Sequence, residues 1–147
     1  MPNWCLNHLQ VIGPAETVTR FVADAVGGNP WSQPLLGRPE EALSFDSLLP
    51  IPQAVLAAGY AAAGCEWERR HWGCKWGACH SLLTERWEGG ACYEFDTAWG
   101  PPLAFLKTTS RAWPELMFKL EYEEPLAGFQ GSARARRGRL RDRCESI

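Results

Sequence analysis

The segment from Trp67 to Pro102 decides the fold, and it reads WERRHWGCKWGACHSLLTERWEGGACYEFDTAWGPP. It holds five of the eight tryptophans of the chain, together with three cysteines and two histidines. So much aromatic surface in one segment indicates either a folding nucleus or a surface that binds a partner. No nucleophile elbow, paired-carboxylate motif or phosphate-binding glycine loop occurs in the sequence.

The second half of this segment predicts a β-hairpin that leads into a helix. Residues 78–87 and 91–97 flank a Glu-Gly-Gly turn, and a Gly-Gly between two alternating runs favours a hairpin. A Gly-Pro-Pro at 100–102 ends the second strand, and proline suits the first turn of the helix predicted at Leu103–Trp113. Residues 65–77 show no clear periodicity, and their two Trp-Gly pairs suggest turns that present aromatic side chains.

A strand and a helix are predicted near the start of the chain. Residues 3–13 alternate with period two and carry apolar side chains on both faces, which is typical of a central strand. Apolar residues at helical spacing follow Pro14 and stop at Gly27-Gly28. The proline-rich residues 29–41 then predict a long loop, pinned to the body by Trp31, Leu35 and Leu36.

Two further elements are predicted before the aromatic segment. Residues 42–49 are interpreted as a second strand, ended by the Pro-Ile-Pro that follows, because proline cannot donate to a sheet ladder. Residues 53–63 are rich in alanine and predict a short helix, interrupted at Gly59 and Gly64.

After the helix, residues 116–123 give the clearest alternation in the chain, and residues 129–137 predict a weaker final strand. The order of elements favours an α+β fold with a ferredoxin-like split β-α-β core. We expect a mainly antiparallel sheet with helices on one face and an inserted middle segment. The predicted division is one ferredoxin-like domain at 1–133 and a basic tail at 134–147 that is not expected to be ordered.

Composition limits the class of protein. The length of 147 residues, with 46% hydrophobic and 22% charged residues, is that of one globular domain. No apolar run approaches the ~20 residues of a membrane span, and no signal peptide is evident, so we expect no membrane partner and a cytoplasmic location. The six cysteines form no Cys-x-x-Cys pair, which favours free thiols over disulfides.

Charge is distributed unevenly along the chain. The net charge is −2, but residues 134–147 hold six arginines against Asp142 and Glu145, a net of +4, so the preceding body carries −6. A basic end on a mildly acidic body is a pattern of some nucleic-acid-binding proteins.

Five motifs in a fixed order resemble one family. They are Pro2–Cys5, Leu48–Pro52, Trp72–Trp76, Phe95–Pro102 and Leu120–Glu124. Together they resemble the YubB-like, ferredoxin-like family of phage and plasmid proteins of unknown function, over residues 2–131. The chain departs from the family pattern at Cys74, Gly77 and Gly100. The resemblance implies a ferredoxin-like fold, an origin in a mobile element within a bacterial host cell, and no catalytic residues.

The candidate binding residues are Trp72, Lys75, Trp76, Asp96 and Trp99. Exposed tryptophan and basic side chains anchor many protein interfaces. The leading hypothesis is therefore a non-enzymatic protein that binds a host protein, such as a component of a CRISPR defence system. We expect no cofactor and no metal. A zinc site at His71, Cys74, Cys79 and His80 would have unusual spacing, and neighbouring Cys79 and His80 would point to opposite faces of a strand.

Two other hypotheses remain open. A nucleic-acid-binding module would use an aromatic and basic sheet face, with contacts from Arg134, Arg136, Arg137 and Arg139. An enzyme of unrecognised type would have a concave pocket in which Asp96, His80 or Cys74 converge. For Asp96 itself, the simpler interpretation is a corner residue that accepts hydrogen bonds from nearby backbone N–H groups. The sequence does not indicate an oligomeric state.

Overall fold

A six-stranded antiparallel sheet organises the computed structural model, which describes residues 2–28 and 40–147. The strands are β1 (Trp4–Ile12), β2 (Cys79–Trp87), β3 (Gly90–Ala98), β4 (Met117–Glu124), β5 (Phe129–Arg136) and β6 (Arg139–Ser146). Their order in the sheet is β2-β3-β1-β4-β5-β6, and every neighbouring pair is antiparallel. The prediction of a central first strand is confirmed, because β1 lies between β3 and β4.

The described helices are α1 (Ala15–Ala25), α2 (Phe45–Leu48), α3 (Gln53–Ala57), α4 (Cys65–His71) and α5 (Leu103–Ala112), with a π-helical turn at Tyr60–Gly64. Helix α1 and the following segment join β1 to β2, and α5 joins β3 to β4, so the β2-β3-β1-β4 portion is the ferredoxin-like double split β-α-β. The prediction of an α+β, ferredoxin-like fold is confirmed.

The core lies between one face of the sheet and the helices. From α1, Phe21 packs edge-on against Phe118 of β4, with ring centroids 5.5 Å apart. From α5, Phe105 stacks on Phe45 at 3.7 Å. Along β1 the residues facing this core are buried, among them Leu9, whereas the alternate residues remain partly or largely exposed. Strand pleating thus separates a helix-covered face from a second face that no described element covers, which we call the open face.

The predicted strand at 42–49 is wrong, because this segment forms the short helix α2. The side chain of Ser44 is the N-cap, with its Oγ accepting from the N–H of Ser47 at 3.1 Å. The apolar residues that suggested alternation, Leu43 and Phe45, are both fully buried. Most of the predicted loop, with Trp31, Leu35 and Leu36, lies outside the described residues, although Glu41 forms a β-bridge with Gly27.

The predicted basic tail at 134–147, and with it a domain boundary at 133, is also corrected. Position 133 lies inside β5, and residues 139–146 form β6, which pairs with β5 along its whole length. The two strands are joined at Arg137 and Gly138, with φ of 52° and 79°, the left-handed pair that a two-residue hairpin turn requires. The inner face of β6 contributes Leu140 to the core. None of the described helices is long and apolar enough to cross a membrane.

Candidate binding surface

Four aromatic side chains meet at one end of the open face, and we call Trp4, Trp76, His80 and Trp99 the aromatic cluster. The ring of Trp4 lies 6.5 Å from that of Trp76 and 5.4 Å from that of His80. The ring of Trp76 lies 6.0 Å from that of Trp99, which is 52% exposed. Three separate parts of the chain therefore supply a continuous aromatic surface: the start of β1, the segment that leads into β2 together with the start of that strand, and the β3–α5 corner.

Backbone strain marks this cluster. Trp76, His80 and Trp99 have φ of 73°, 54° and 64°, the left-handed region that bulky residues rarely adopt. Each such residue costs on the order of 1–3 kcal/mol and persists only where its surroundings enforce it. Besides these three, the only non-glycine residue with positive φ in the described chain is Arg137, at the β5–β6 turn. Strained backbone of this kind concentrates at functional sites.

A backbone hydrogen bond holds the strained conformation at Trp99, and a break in strand register accompanies the one at His80. The N–H of Trp99 donates to the carbonyl of Asn3 at 2.8 Å, which extends the β1–β3 ladder by one bond before the chain turns. At that corner the hydroxyl of Thr97 donates to the carbonyl of Gly100 at 2.6 Å. His80 lies where the β2–β3 register shifts, between Cys79 and Leu82, and such bulges redirect side chains.

A buried carboxylate holds the third strained residue. Glu68 of α4 is fully buried and accepts the N–H of Trp76 at 3.2 Å and the hydroxyl of Tyr60 at 3.0 Å. Burial raises the pKa of Glu68 above its ordinary value of 4.5, and the bonds from Trp76 and Tyr60 offset this rise in part. The ammonium of Lys75 lies 4.9 Å from the ring centroid of Trp76, a cation–π contact on the same loop.

The raised pKa of Glu68 predicts a pH dependence of stability. Between the unfolded pKa near 4.5 and the higher folded pKa, the folded state binds more protons, so stability falls as pH rises. In this window each pH unit should lower the free energy of unfolding of the wild-type protein by up to about 1.4 kcal/mol relative to Glu68→Gln. Above the folded pKa the difference should become constant.

Urea unfolding of both proteins between pH 4 and pH 9 measures this difference. The carboxyl of Glu41 also has a pKa raised by burial, but it is present in both proteins and its contribution cancels. The charge of Asp46, whose own pKa is raised by burial, contributes to the raised pKa of Glu68, so the comparison reports the joint response of these two carboxyls. Parallel stability curves for wild type and Glu68→Gln across the whole range would contradict a raised pKa at Glu68.

Asp96 connects the aromatic cluster to the rest of the open face. Its Oδ2 lies 3.0 Å from Nδ1 of His80, whose side chain is largely exposed. The expected hydrogen bonds from local backbone to Asp96 are not found in the described chain, and Thr97 makes the corner bond instead. Thr97 also accepts from the side-chain amide of the buried Asn7 at 2.9 Å, so the corner is tied to the central strand.

Next to the aromatic cluster, the open face carries an acidic band. Its members are Glu94, Asp96, Glu121, Glu123 and Glu145. They flank Leu6 and His8 of β1: Asp96 and Glu123 lie opposite Leu6, and Glu94 and Glu121 lie opposite His8. The band lines a shallow concavity of about 650 Å³, into which the 48% exposed Leu6 also faces. This half of the open face has Leu6 and His8 at its centre and five carboxylates around them, with Arg143 as the one arginine that lines the concavity.

The far end of the open face is positive on β4, β5 and β6. Its basic stripe comprises Lys119, Arg134, Arg136, Arg139 and Arg141. Lys119 lies opposite Arg134, and Arg134 lies opposite Arg141, so one row of cations crosses three adjacent strands. Arg137 is not counted in the stripe. It occupies the β5–β6 turn, and its Nε donates to the carbonyl of Pro114 at 3.4 Å.

Four of the five predicted binding residues are brought together, namely Lys75, Trp76, Asp96 and Trp99. The fifth, Trp72, is fully buried, and its Nε1 donates to the carbonyl of Leu49 at 3.0 Å, so it belongs to the core. Trp4 was missed as a member of the cluster, although its place on the outer face of a central strand was a usable signal.

The four residues considered above as alternative zinc ligands are dispersed. Cys74 and Cys79 are buried, the ring of His71 stacks on Trp67 at 4.4 Å, and His80 is on the open face. Within residues 2–28 and 40–147, no three His, Cys, Asp or Glu side chains are grouped to hold a metal ion. All six cysteines are free. Of the three residues of the enzyme hypothesis, Asp96 lines the concavity and contacts Nδ1 of His80 at 3.0 Å, whereas neither His80 nor Cys74 lines it.

Two comparisons place the chain among known proteins. The crystal structure of a protein api92 from Yersinia pseudotuberculosis superposes with a TM-score of 0.68, covering 100% of this chain and 98% of that one. At 10% sequence identity, this likeness shows a shared fold. No curated protein matches the chain.

A family model supplies the second comparison. The model described as a ferredoxin-like domain in Api92-like protein matches residues 72–146. The matched region begins before β2 and runs to the end of β6, so it includes most of the aromatic cluster and the whole basic stripe. Because it covers half of the sequence, the chain belongs to the family of the ferredoxin-like domain in Api92-like protein.

Proposed function

We propose that this protein is a non-enzymatic interaction protein that binds another protein through the aromatic cluster. The observation that carries the proposal is the strained backbone of Trp76, His80 and Trp99, which holds aromatic rings on the surface at a cost to stability. Tryptophan is the residue most enriched at the energetic centres of interfaces. The acidic band beside the cluster supplies a polar rim, which favours a partner with an apolar centre and a basic margin.

The partner class follows from the resemblance of the sequence motifs to the YubB-like proteins of phages and plasmids. A protein of a mobile element acts inside its host, so the proposed partner is a bacterial host protein, for which a CRISPR defence component is one candidate. Membership of the Api92-like family is compatible with this origin. The proposal places the protein in the host cytoplasm.

Affinity capture from a bacterial lysate tests this function. The tagged full chain is compared with the same chain carrying Trp99→Gly, and captured proteins are identified by mass spectrometry after nuclease treatment. We expect at least one protein that is enriched by the wild type and lost with the variant. Capture of no enriched protein, or only of proteins that the variant retains equally, would refute binding through the aromatic cluster.

A further inference from the structure

We propose that the basic stripe is a second, separate binding site, which contacts the phosphate backbone of duplex nucleic acid without reading its sequence. The stripe lies on the open face of β4, β5 and β6, at the end of these strands that is farther from the aromatic cluster, and its Lys119 is two residues from Glu121 of the acidic band. The four arginines of the stripe, with Met117, Ala135 and Arg137, line a concavity of about 610 Å³. Neighbouring strands lie about 4.8 Å apart, so the row formed by Lys119, Arg134 and Arg141 extends over about 10 Å.

The arrangement of charge in the stripe is unfavourable for the isolated protein. Arg134 lies directly opposite Arg141, and Arg136 lies directly opposite Arg139. Like charges in such cross-strand pairs destabilise a sheet. The ion pairs of the described chain involve His8, Arg20, Arg70 and His80, and none of them includes a stripe residue. The stripe therefore carries repulsion that an external anion would relieve.

Protection of an exposed sheet edge is the simpler explanation for charge on a terminal strand. It accounts for Arg139 and Arg141 on β6, which is the edge strand next to β5. It does not account for Arg134 and Arg136 on β5 or for Lys119 on β4, because both strands are paired on both sides. The cations of the inner strands thus point to a ligand.

Side-chain chemistry favours phosphate as that ligand. A guanidinium presents a planar fork of donors that matches phosphate oxygens in pairs, and four of the five stripe residues are arginines. An acidic protein segment would also need apolar anchors for affinity, and Met117 is the one apolar side chain facing this concavity with more than a methyl group. Duplex nucleic acid offers one phosphate per about 1.7 Å of helix axis, which suits a flat row of cations.

The acidic band determines how such a ligand lies. A phosphate backbone that ran from the stripe towards the aromatic cluster would pass over Glu121 and Glu123 of β4. This path is repulsive, so the duplex is confined to the far end of the open face and its bases do not reach the tryptophans. Binding to the stripe is therefore independent of sequence and of the protein partner at the aromatic cluster.

Fluorescence anisotropy of the full chain with a 20-base-pair labelled duplex, from 25 to 200 mM NaCl, tests the site. We expect log Kd to rise steeply with log salt, by about 0.9 per phosphate contacted. Arg136→Ala/Arg139→Ala should reduce this slope by about 2, since each cation contributes about 1. The charge-matched control is Arg69→Ala/Arg70→Ala, on exposed residues of α4, which should leave the slope unchanged.

Thermal unfolding of each variant verifies folding, and Arg136→Ala/Arg139→Ala should be no less stable than wild type because it removes a like-charge pair. Absence of duplex binding, a slope unaffected by the stripe substitutions, or an equal loss with the α4 control would overturn the proposal. So would tighter binding of polyglutamate than of the duplex, which would assign the stripe to an acidic protein. Trp99→Gly should leave duplex binding intact, so failure here and failure of protein capture are distinguishable.

Discussion

Replacement of Trp72 by alanine should lower the free energy of unfolding by about 3–5 kcal/mol, the range for removal of a large aromatic side chain from a core. Trp72 is fully buried and packs against Phe45 and Trp67, with ring centroids 5.8 and 5.7 Å away. Its Nε1–H also satisfies the carbonyl of Leu49, which would lose this donor. Domains of this size have about 5–15 kcal/mol of stability, so the variant should be close to its unfolding threshold.

Urea unfolding followed by circular dichroism measures the effect, and Trp87→Ala is the matched control. Trp87 is 42% exposed on β2, so the same chemical change there should cost about 1 kcal/mol or less. Trp72→Phe should give an intermediate loss, because it retains an aromatic ring but not the N–H group. If Trp72→Ala unfolds at the same urea concentration as Trp87→Ala, the placement of Trp72 in the core is wrong.

The parts of the fold that could be predicted are those in which local pattern and tertiary environment agree. Strand β4 alternates clearly and is buried on one face, and β3 alternates in the same way from Tyr93 to Thr97. The segment at 42–49 also appeared to alternate, but Ser44 offers an N-cap and Phe45 reaches the core from a helix. A short apolar run does not distinguish a strand from one helical turn, because either conformation can bury the large side chains of the run in the core.

The prediction for the last strand, β6, was wrong for a different reason. The inner face of β6 provides only Leu140 for the core, and the remaining residues are exposed, so its composition is that of a solvated tail. Backbone hydrogen bonds to β5 order β6 along its whole length. Such bonds do not depend on side chains, so the sequence pattern does not predict them. The residues of the basic stripe were noticed as charges, but their common face became evident only from the register.

The candidate binding surface could also be predicted only in part. Residue types predicted that Lys75, Trp76, Asp96 and Trp99 would take part, whereas Trp72 could not be separated from Trp76 because each precedes a glycine in the same loop. Burial distinguishes them: the ring of Trp72 is turned inward by α4, and that of Trp76 is turned outward by a left-handed backbone. That conformation depends on the buried Glu68, eight residues away in sequence, which local pattern does not reveal.

Replacement of Trp99 by glycine should weaken binding of the captured protein partner by at least about 30-fold while leaving the fold intact. The ring is 52% exposed, and a central tryptophan of an interface contributes about 2 kcal/mol or more when truncated. Glycine adopts the φ of 64° at this position without strain, so relief of strain offsets the packing that is lost. We expect the free energy of unfolding to stay within about 1 kcal/mol of wild type.

Surface plasmon resonance with the immobilised partner measures the binding affinity, and urea unfolding measures the free energy of unfolding. Trp87→Ala again serves as the control, because it removes an exposed tryptophan from the opposite end of the open face and should change affinity by less than about threefold. Loss of binding together with a large loss of stability would show that Trp99 holds the β3–α5 corner instead of a partner. Retention of binding by Trp99→Gly would leave the strain at Trp76, His80 and Trp99 without a role in recognition, because Trp99 is the most exposed tryptophan of the cluster.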